Sequence, residues 1–184
     1  MIFVCIILRV DKNPRYFYYL EQIDMAFIDL DSDDPVGNAS FYNVNGAVGY
    51  GGKNLVEDVK VVQFFLKRLY SLEDMKQHKP WGEMVVDGKV GPITRAWIMR
   101  TQQLSKGVMI DGVVDKAGNE QNPSNWESSI SHTKYVIRMI NNHLRKRDTA
   151  VYKTLPTNPV VPSDMQTIFQ QIHAQGPPMN YGSS

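Results

Sequence analysis

In the stretch NLVEDVKVVQFFLKRLY, residues 54 to 70, Val59, Val62, Leu66 and Leu69 recur at helical spacing and form one apolar stripe, which Phe65 widens. Lys60, Lys67 and Arg68 fall elsewhere on the same wheel, so a core-facing helix is predicted. Gly49, Gly51 and Gly52 break regular structure ahead of it, and Asn54 followed three residues later by Glu57 reads as an N-cap with its reciprocal partner. A second helix is predicted from Pro92 to about Ser105. Gly91 offers a flexible cap, Pro92 has its φ preset for the first turn, and Gly107 suits the left-handed stop. A third runs from about Ser131 to Arg147, with Val136, Ile140 and Leu144 inward and Arg145, Lys146 and Arg147 in the last turn, where positive charge suits the dipole.

Between these helices the pattern breaks down. Residues 71–84 carry Pro80 and Gly82 and read as a loop, as does NEQNPSNWESS before the third helix. Residues 28–45 are rich in Asp, Asn, Ser and Gly. Their acidic run DLDSDDP lacks the glycine and terminal glutamate of an EF-hand and reads as a solvated lead-in. After Asp148 the prolines at 156, 159, 162, 177 and 178 prevent continuous helix. One short helix fits between them, capped by Ser163 and docking through Met165, Ile168, Phe169 and Ile172.

Composition narrows the function classes. The 184 residues, 42% hydrophobic, suffice for one ordinary core, and 20 basic against 19 acidic side chains give a net charge of +1. That balance lacks the basic footprint of a nucleic-acid binder. The single cysteine, Cys5, excludes an internal disulfide framework and a thiolate-rich metal site. The opening MIFVCIIL is followed at once by Arg9, Asp11 and Lys12. It is far shorter than the roughly 20 apolar residues of a membrane span. It also lacks the basic flank and cleavage site of a secretory signal. It is expected to be an arm, or an upstream reading ahead of a true start at Met25.

The segment VVDGKVGPITRAWIMRTQQLSKGVMIDGVVDKAG holds two Asp-Gly turns, Asp87-Gly88 and Asp111-Gly112, each flanked by β-branched residues. Asp can bond back to the following amides and Gly can take positive φ, so both read as tight corners that pin short extended segments against the helices. Together EDVKVVQFFL, VDGKVGPITRAWIMRTQ and IDGVV resemble the peptidoglycan-binding domain family, a small three-helix module made of two similar halves. The match is carried by Asp58, Val59, Val62, Gln63, Asp87, Gly88, Gly91, Pro92, Thr94, Ile98, Gln102, Gly107, Asp111 and Gly112, between about Val48 and Val114. Two departures stand out. The second Asp-Gly is not followed by Gly-Pro-x-Thr: Asp115 stands at the glycine position and a polar loop is inserted. In the second helix the family's small residue is Trp97 and its aromatic is Thr101, positions that are neighbours on one face. The two are expected to exchange volume within the core.

The resemblance implies an all-α fold, a compact three-helix bundle with short Asp-Gly turns, an irregular N-terminal arm (1–45), the binding domain (46–148) and a Pro-rich tail (149–184). It implies non-catalytic recognition of peptidoglycan, through its peptide stem, in a shallow groove beside the first two helices. Tyr50, Asn54, Gln63, Arg95 and Gln102 are the candidate ligand-binding residues, since amides, a ring and a cation suit carboxylates and amides. Each also has a structural reading: Asn54 as cap, Gln63 and Gln102 as interhelical amides, Arg95 as solvent charge, Tyr50 as packing. Asp87, Gly88, Gly91, Pro92, Thr94, Asp111 and Gly112 are assigned to the turns.

No enzyme activity, cofactor or metal is expected. The histidines at 78, 132, 143 and 173 lack ligand spacing, and Glu57 and Glu83 make no convincing carboxylate pair. The alternative is a protein-interaction or adaptor part of a secretion system or phage-tail-like apparatus, holding an effector or apparatus protein. It arises because a wall binder made in the cytoplasm without an export signal must reach the wall by a non-standard route.

Overall fold

The structure, a computed structural model, describes residues 24–30, 40–118, 126–128 and 130–176. Phe27–Leu30 (β1) and Ser40–Asn43 (β2) pair antiparallel, with Ile28 opposite Tyr42 and Asp29 opposite Phe41. Val48–Gly49 (β3) pairs with a distant strand, Val113–Val114 (β4). Around these lie α1 (Val56–Leu69), α2 (Pro92–Leu104), α3 (Val136–Arg147), α4 (Thr149–Tyr152) and α5 (Ser163–Gln175), with one 3-10 turn at Lys76–His78. The described residues therefore form a mixed α+β fold, which overturns the expected all-α three-helix bundle. The lead-in read as solvated contributes two strands. Phe41, Tyr42 and Asn43 are buried among its polar residues, and two short strands leave too little alternation to outweigh that composition.

Helix α1 is the axis of the molecule. Val59, Val62, Phe65, Leu66 and Leu69 are fully buried as the stripe requires, and so are Val61 and, nearly, Phe64 on its flank. The reason is that α2, α3 and α5 all pack against it, so apolar positions outside the stripe also find neighbours. Its start differs from the predicted cap. Asn54 sits at φ 52°, Leu55 occupies the cap position without a side-chain bond, and the Asn54 amide turns back to Gly49 and Gly52. Asn tolerates the left-handed region because its short polar side chain bonds locally. Helix α3 likewise begins at Val136, later than Ser131, because residues 133–135 bond back to 126–128.

The C-terminal helix is part of the core. Met165, Ile168, Phe169 and Ile172 are buried, and α5 packs on α1 and β1. The Phe169 ring centre lies 5.1 Å from Tyr42, 5.6 Å from Phe64 and 5.8 Å from Phe65. The segment assigned to a tail thus closes over the strand hairpin, and Pro162 stands at its cap, with Ser163 as its first residue. In α2, Trp97 is buried in edge contact with Tyr70, ring centres 5.3 Å apart, and Thr101 is buried beside it, bonding the Trp97 carbonyl and the Tyr70 hydroxyl. Cys5, the acidic positions 31–34 and the polar positions 119–125 lie outside the described residues.

One charged group is enclosed at the start of α1. Asp58 Oδ2 accepts the amides of Asn45 at 3.1 Å and Gly46 at 2.7 Å, while Oδ1 is buried with no hydrogen-bond partner among the described residues. Burial pushes this carboxyl up to about 6, against the pull of those two amides and with smaller repulsion from Glu57 and Asp24. The folded chain therefore holds this proton between the ordinary value of 3.8 and about 6, where the unfolded chain has released it. Stability from this group is full below that window and is lost as pH rises through it.

Two outcomes are expected. Phe169→Ala should cost about 3 to 5 kcal/mol in urea unfolding; a variant as stable as the parent would show that α5 does not belong to the core. Asp58→Asn should flatten the fall in stability from pH 4 to pH 7, on the order of 3 kcal/mol for a shift of this size. Unfolding midpoints of both proteins across that range provide the check, and an unchanged slope in the variant would assign the titration elsewhere.

Candidate functional site

The two Asp-Gly corners are built alike, each gripped by one glutamine. From α1, the Gln63 side-chain carbonyl accepts the amides of Asp87 (3.0 Å) and Gly88 (2.9 Å), and its NH2 donates to Asp87 Oδ1 and the Lys89 carbonyl, both at 2.9 Å, and to Thr94 Oγ1 at 3.2 Å. From α2, Gln102 repeats the pattern. It accepts from Asp111 (3.2 Å) and Gly112 (2.8 Å) and donates to Asp111 Oδ1 and the Val113 carbonyl, both at 2.8 Å. Each Asp closes its own loop by accepting the amide two residues on, Lys89 or Val113. Both amide groups are saturated by this, since the side chain has two donors and two acceptor sites. The Gln63 bond is the main reason the Asp87 carboxyl sits below its usual range, with the Lys89 amide second. Gly88 and Gly112, at φ 75° and 77°, take the left-handed conformation the corner needs.

Of the five residues expected to bind ligand, three are thus committed internally. Gln63 and Gln102 are buried in the clamps, and Asn54 clamps the Gly49–Gly52 turn, donating to the Gly49 and Gly52 carbonyls and accepting the Gly49 amide at 2.8 Å. Tyr50 and Arg95 remain outward, and the fold brings them together. Tyr50 is 78% exposed and the Arg95 guanidinium carbon lies 5.3 Å from its ring centre. They meet because β3 carries Gly49 close against Gly112. A Cβ on Gly49 would fall 2.4 Å from the Gly112 carbonyl oxygen, and one on Gly112 would fall 3.1 Å from Arg95 Cγ. Gly91, Pro92 and Thr94 start α2 as expected. The Gly91 carbonyl accepts the Arg95 amide, Pro92 is the first helical residue, and Thr94 is buried against Gln63.

Beyond the second corner opens a cleft of about 260 Å³, lined on one side by Met109, Asp111, Val113 and Asp115 and on the other by Ser128, Ile130, Thr133 and Lys134. The far wall is built from residues 126–128 and 130–135, tied by the bridge between Glu127 and Lys134 and by the Lys134 amide donating to the Gly107 carbonyl at 2.7 Å. Asp115 stands where the family pattern has glycine, and on the far wall Ser128 belongs to the inserted loop while Ile130, Thr133 and Lys134 follow it. A departure from the resemblance therefore contributes to each wall of the cleft. Burial, then repulsion from Asp111, raises the Asp115 carboxyl. Sequence reasoning noted Asp115 only as a mismatch. Its place beside a polar insertion was the signal available.

Among the described residues no cluster of three or more His, Cys, Asp or Glu side chains is placed to hold a metal ion, and no helix is long and apolar enough to cross a membrane. Glu83 is paired with Lys79 at 2.7 Å, and His143 with Arg147 at 2.9 Å. The arrangement offers recognition chemistry: an exposed ring under a guanidinium, then a cleft with hydroxyl, carboxylate and aliphatic walls. Comparison with protein-family models, curated proteins and solved structures gives no match for this chain.

Gln102→Met, which keeps the volume and deletes the amide, should cost about 2 to 4 kcal/mol, because the Asp111 and Gly112 amides and the Val113 carbonyl lose their partner. Hydrogen exchange at those amides reads the loss directly. Protection equal to the parent's would mean that the corner holds itself.

Proposed function

We propose that the chain binds bacterial peptidoglycan without cleaving it, recognising the peptide stem on the face that runs from Tyr50 and Arg95 across the Asp111-Gly112 corner to the cleft. The observation that carries this reading is the exposed Tyr50–Arg95 stack, which lies against Gly112 of the corner whose Asp111 lines the cleft. A stem peptide presents carboxylates and amides. The guanidinium offers forked donors to the carboxylates, and the ring offers apolar area with a hydroxyl at its tip. The doubled glutamine clamp supports the same reading, because it builds the two-half arrangement that the motif resemblance implies. The groove differs from the one expected beside the first two helices: it lies past the end of α2, on the second corner.

The second reading, a protein partner in a secretion or phage-tail-like apparatus, is supported by one observation. Met109, Ile110 and Ile130 expose large apolar side chains near the cleft, Ile130 to 87%, and grouped exposed apolar residues mark contact surfaces.

Co-sedimentation with purified sacculi separates the two. The parent chain is expected in the pellet, and Tyr50→Ala and Arg95→Ala are each expected to weaken binding about tenfold. A parent chain that stays in the supernatant overturns the wall reading in favour of the protein partner. Pelleting that both variants retain in full moves the site elsewhere on the surface.

A further inference from the structure

The cations around the cleft share one feature. Arg95 lies over Tyr50, Lys116 over Phe27 at 5.0 Å, and Lys134 over Trp126 at 5.9 Å. Lys116 also donates to Asn45 Oδ1 at 3.3 Å. None of the three is paired with the two carboxylates of the cleft. Among the described residues, Asp111 spends Oδ1 on the clamp and has Oδ2 free, and the Asp115 carboxylate accepts no hydrogen bond and meets no cation. A carboxylate that is partly desolvated beside a second negative charge, as Asp115 is beside Asp111, costs more to ionise, and an entering cation relieves it. The upward displacement of the Asp115 carboxyl by burial and by Asp111 agrees with this. Beside them, Met109, Val113, Ile130 and Val136 make an aliphatic wall. At about 260 Å³ the space falls below the roughly 300 to 1,000 Å³ of cofactor and drug-sized pockets and suits one long side chain.

We infer that this cleft receives a primary ammonium on an aliphatic stem, the amine-bearing side chain of a stem peptide, with the ammonium between Asp111 Oδ2 and Asp115 and the methylenes along Met109 and Ile130. This deepens the wall-binding reading and rests on it for the source of the peptide. Lys134, the cation in the cleft lining, lies over the Trp126 ring and pairs with neither carboxylate, so the pairing position is open to a ligand. The stem-on-wall, head-on-carboxylate arrangement is the one in which lysine-like side chains bury their methylenes while the charged end stays solvated or paired.

The test is a titration of the full chain, followed by amide chemical shifts, with acetyl-Ala-Lys-Ala-amide, with the same peptide acetylated on the lysine amine, and with acetyl-Ala-norleucine-Ala-amide. The lysine peptide is expected to give saturable shifts confined to residues 108–115 and 130–136. The two uncharged peptides should bind at least about tenfold more weakly. Asp115→Asn should lose about tenfold, and Asp115→Glu, which keeps the charge, should stay within about threefold of the parent. Because the Asp115 side chain makes no hydrogen bond among the described residues, neither change removes a hydrogen bond of the described fold. Absence of saturable shifts, equal binding of the acetylated peptide, or an Asp115→Asn variant that binds like the parent each overturns the inference. Sacculi assayed in parallel keep the two claims apart. Sacculus binding without lysine-peptide binding refutes the ammonium cleft and leaves the wall reading standing. Lysine-peptide binding at the cleft without sacculus binding upholds the ammonium chemistry and refutes the wall as its source.

Discussion

Buried carboxamides hold this fold together where regular hydrogen-bond ladders are missing. The two described sheets are two-stranded, with four residues per strand in one and two in the other, so much of the enclosed backbone cannot pair within a sheet. A buried peptide group without a partner costs as much as a lost hydrogen bond. Asn43, Gln63, Gln102 and Asn141 supply those partners. Asn43 accepts the amides of Val44 and Ala117 and donates to the Ala117 carbonyl, tying the end of β2 to the chain just past β4. Asn141 of α3 bonds both the amide and the carbonyl of Tyr42, acting as one more rung on β2. A carboxamide can do this because it carries a donor and an acceptor side by side, the same pair that a peptide group offers.

These polar fixings have value only inside an apolar enclosure. Tyr42 is pinned by Asn141 and also meets Phe65, Tyr152 and Phe169 edge-on, so one strand residue joins α1, α3, α4 and α5. Low local dielectric strengthens each satisfied bond and makes each unsatisfied one costlier. The core and the clamps are therefore mutually dependent. Asp58 is the counterexample that shows the rule: two amides hold one oxygen, the other has none, and the group answers by keeping its proton to higher pH.

The helices were legible in the sequence because their signals are local. The stripe of α1, the Gly-Pro start of α2 and the Met165, Ile168, Phe169, Ile172 face of α5 all repeat within a few residues. Contacts that join distant positions were not legible. Nothing near Val48 announces Val114 as its partner, and nothing in Asn141 points to Tyr42. Asn54 misled for a related reason: a cap and a left-handed loop clamp use the same side chain, and only the path of the Gly49–Gly52 turn decides between them. The Asp-Gly corners were visible as turns, but their glutamine partners stayed open between ligand groups and interhelical amides, since sequence does not show when an amide is already saturated.

The same contrast bears on where recognition should sit. The residues that match the motif pattern most closely, Gln63 with Asp87 and Gln102 with Asp111, have spent most of their hydrogen-bonding capacity on the scaffold. Capacity remains where the chain departs from the pattern, at Asp115 and on the far wall of the cleft. Asp111 stands in both sets: one oxygen is in the clamp, and the residue lines the cleft. A ligand that takes the second oxygen also stiffens the corner that Gln102 holds. Occupancy therefore stabilises the folded chain by more as ligand rises above its dissociation constant. By the reciprocity of linkage, loosening that corner must weaken the ligand to the same degree. Clamp and cleft then share one carboxylate, so in the proposed site Gln102 would act on the ligand through Asp111.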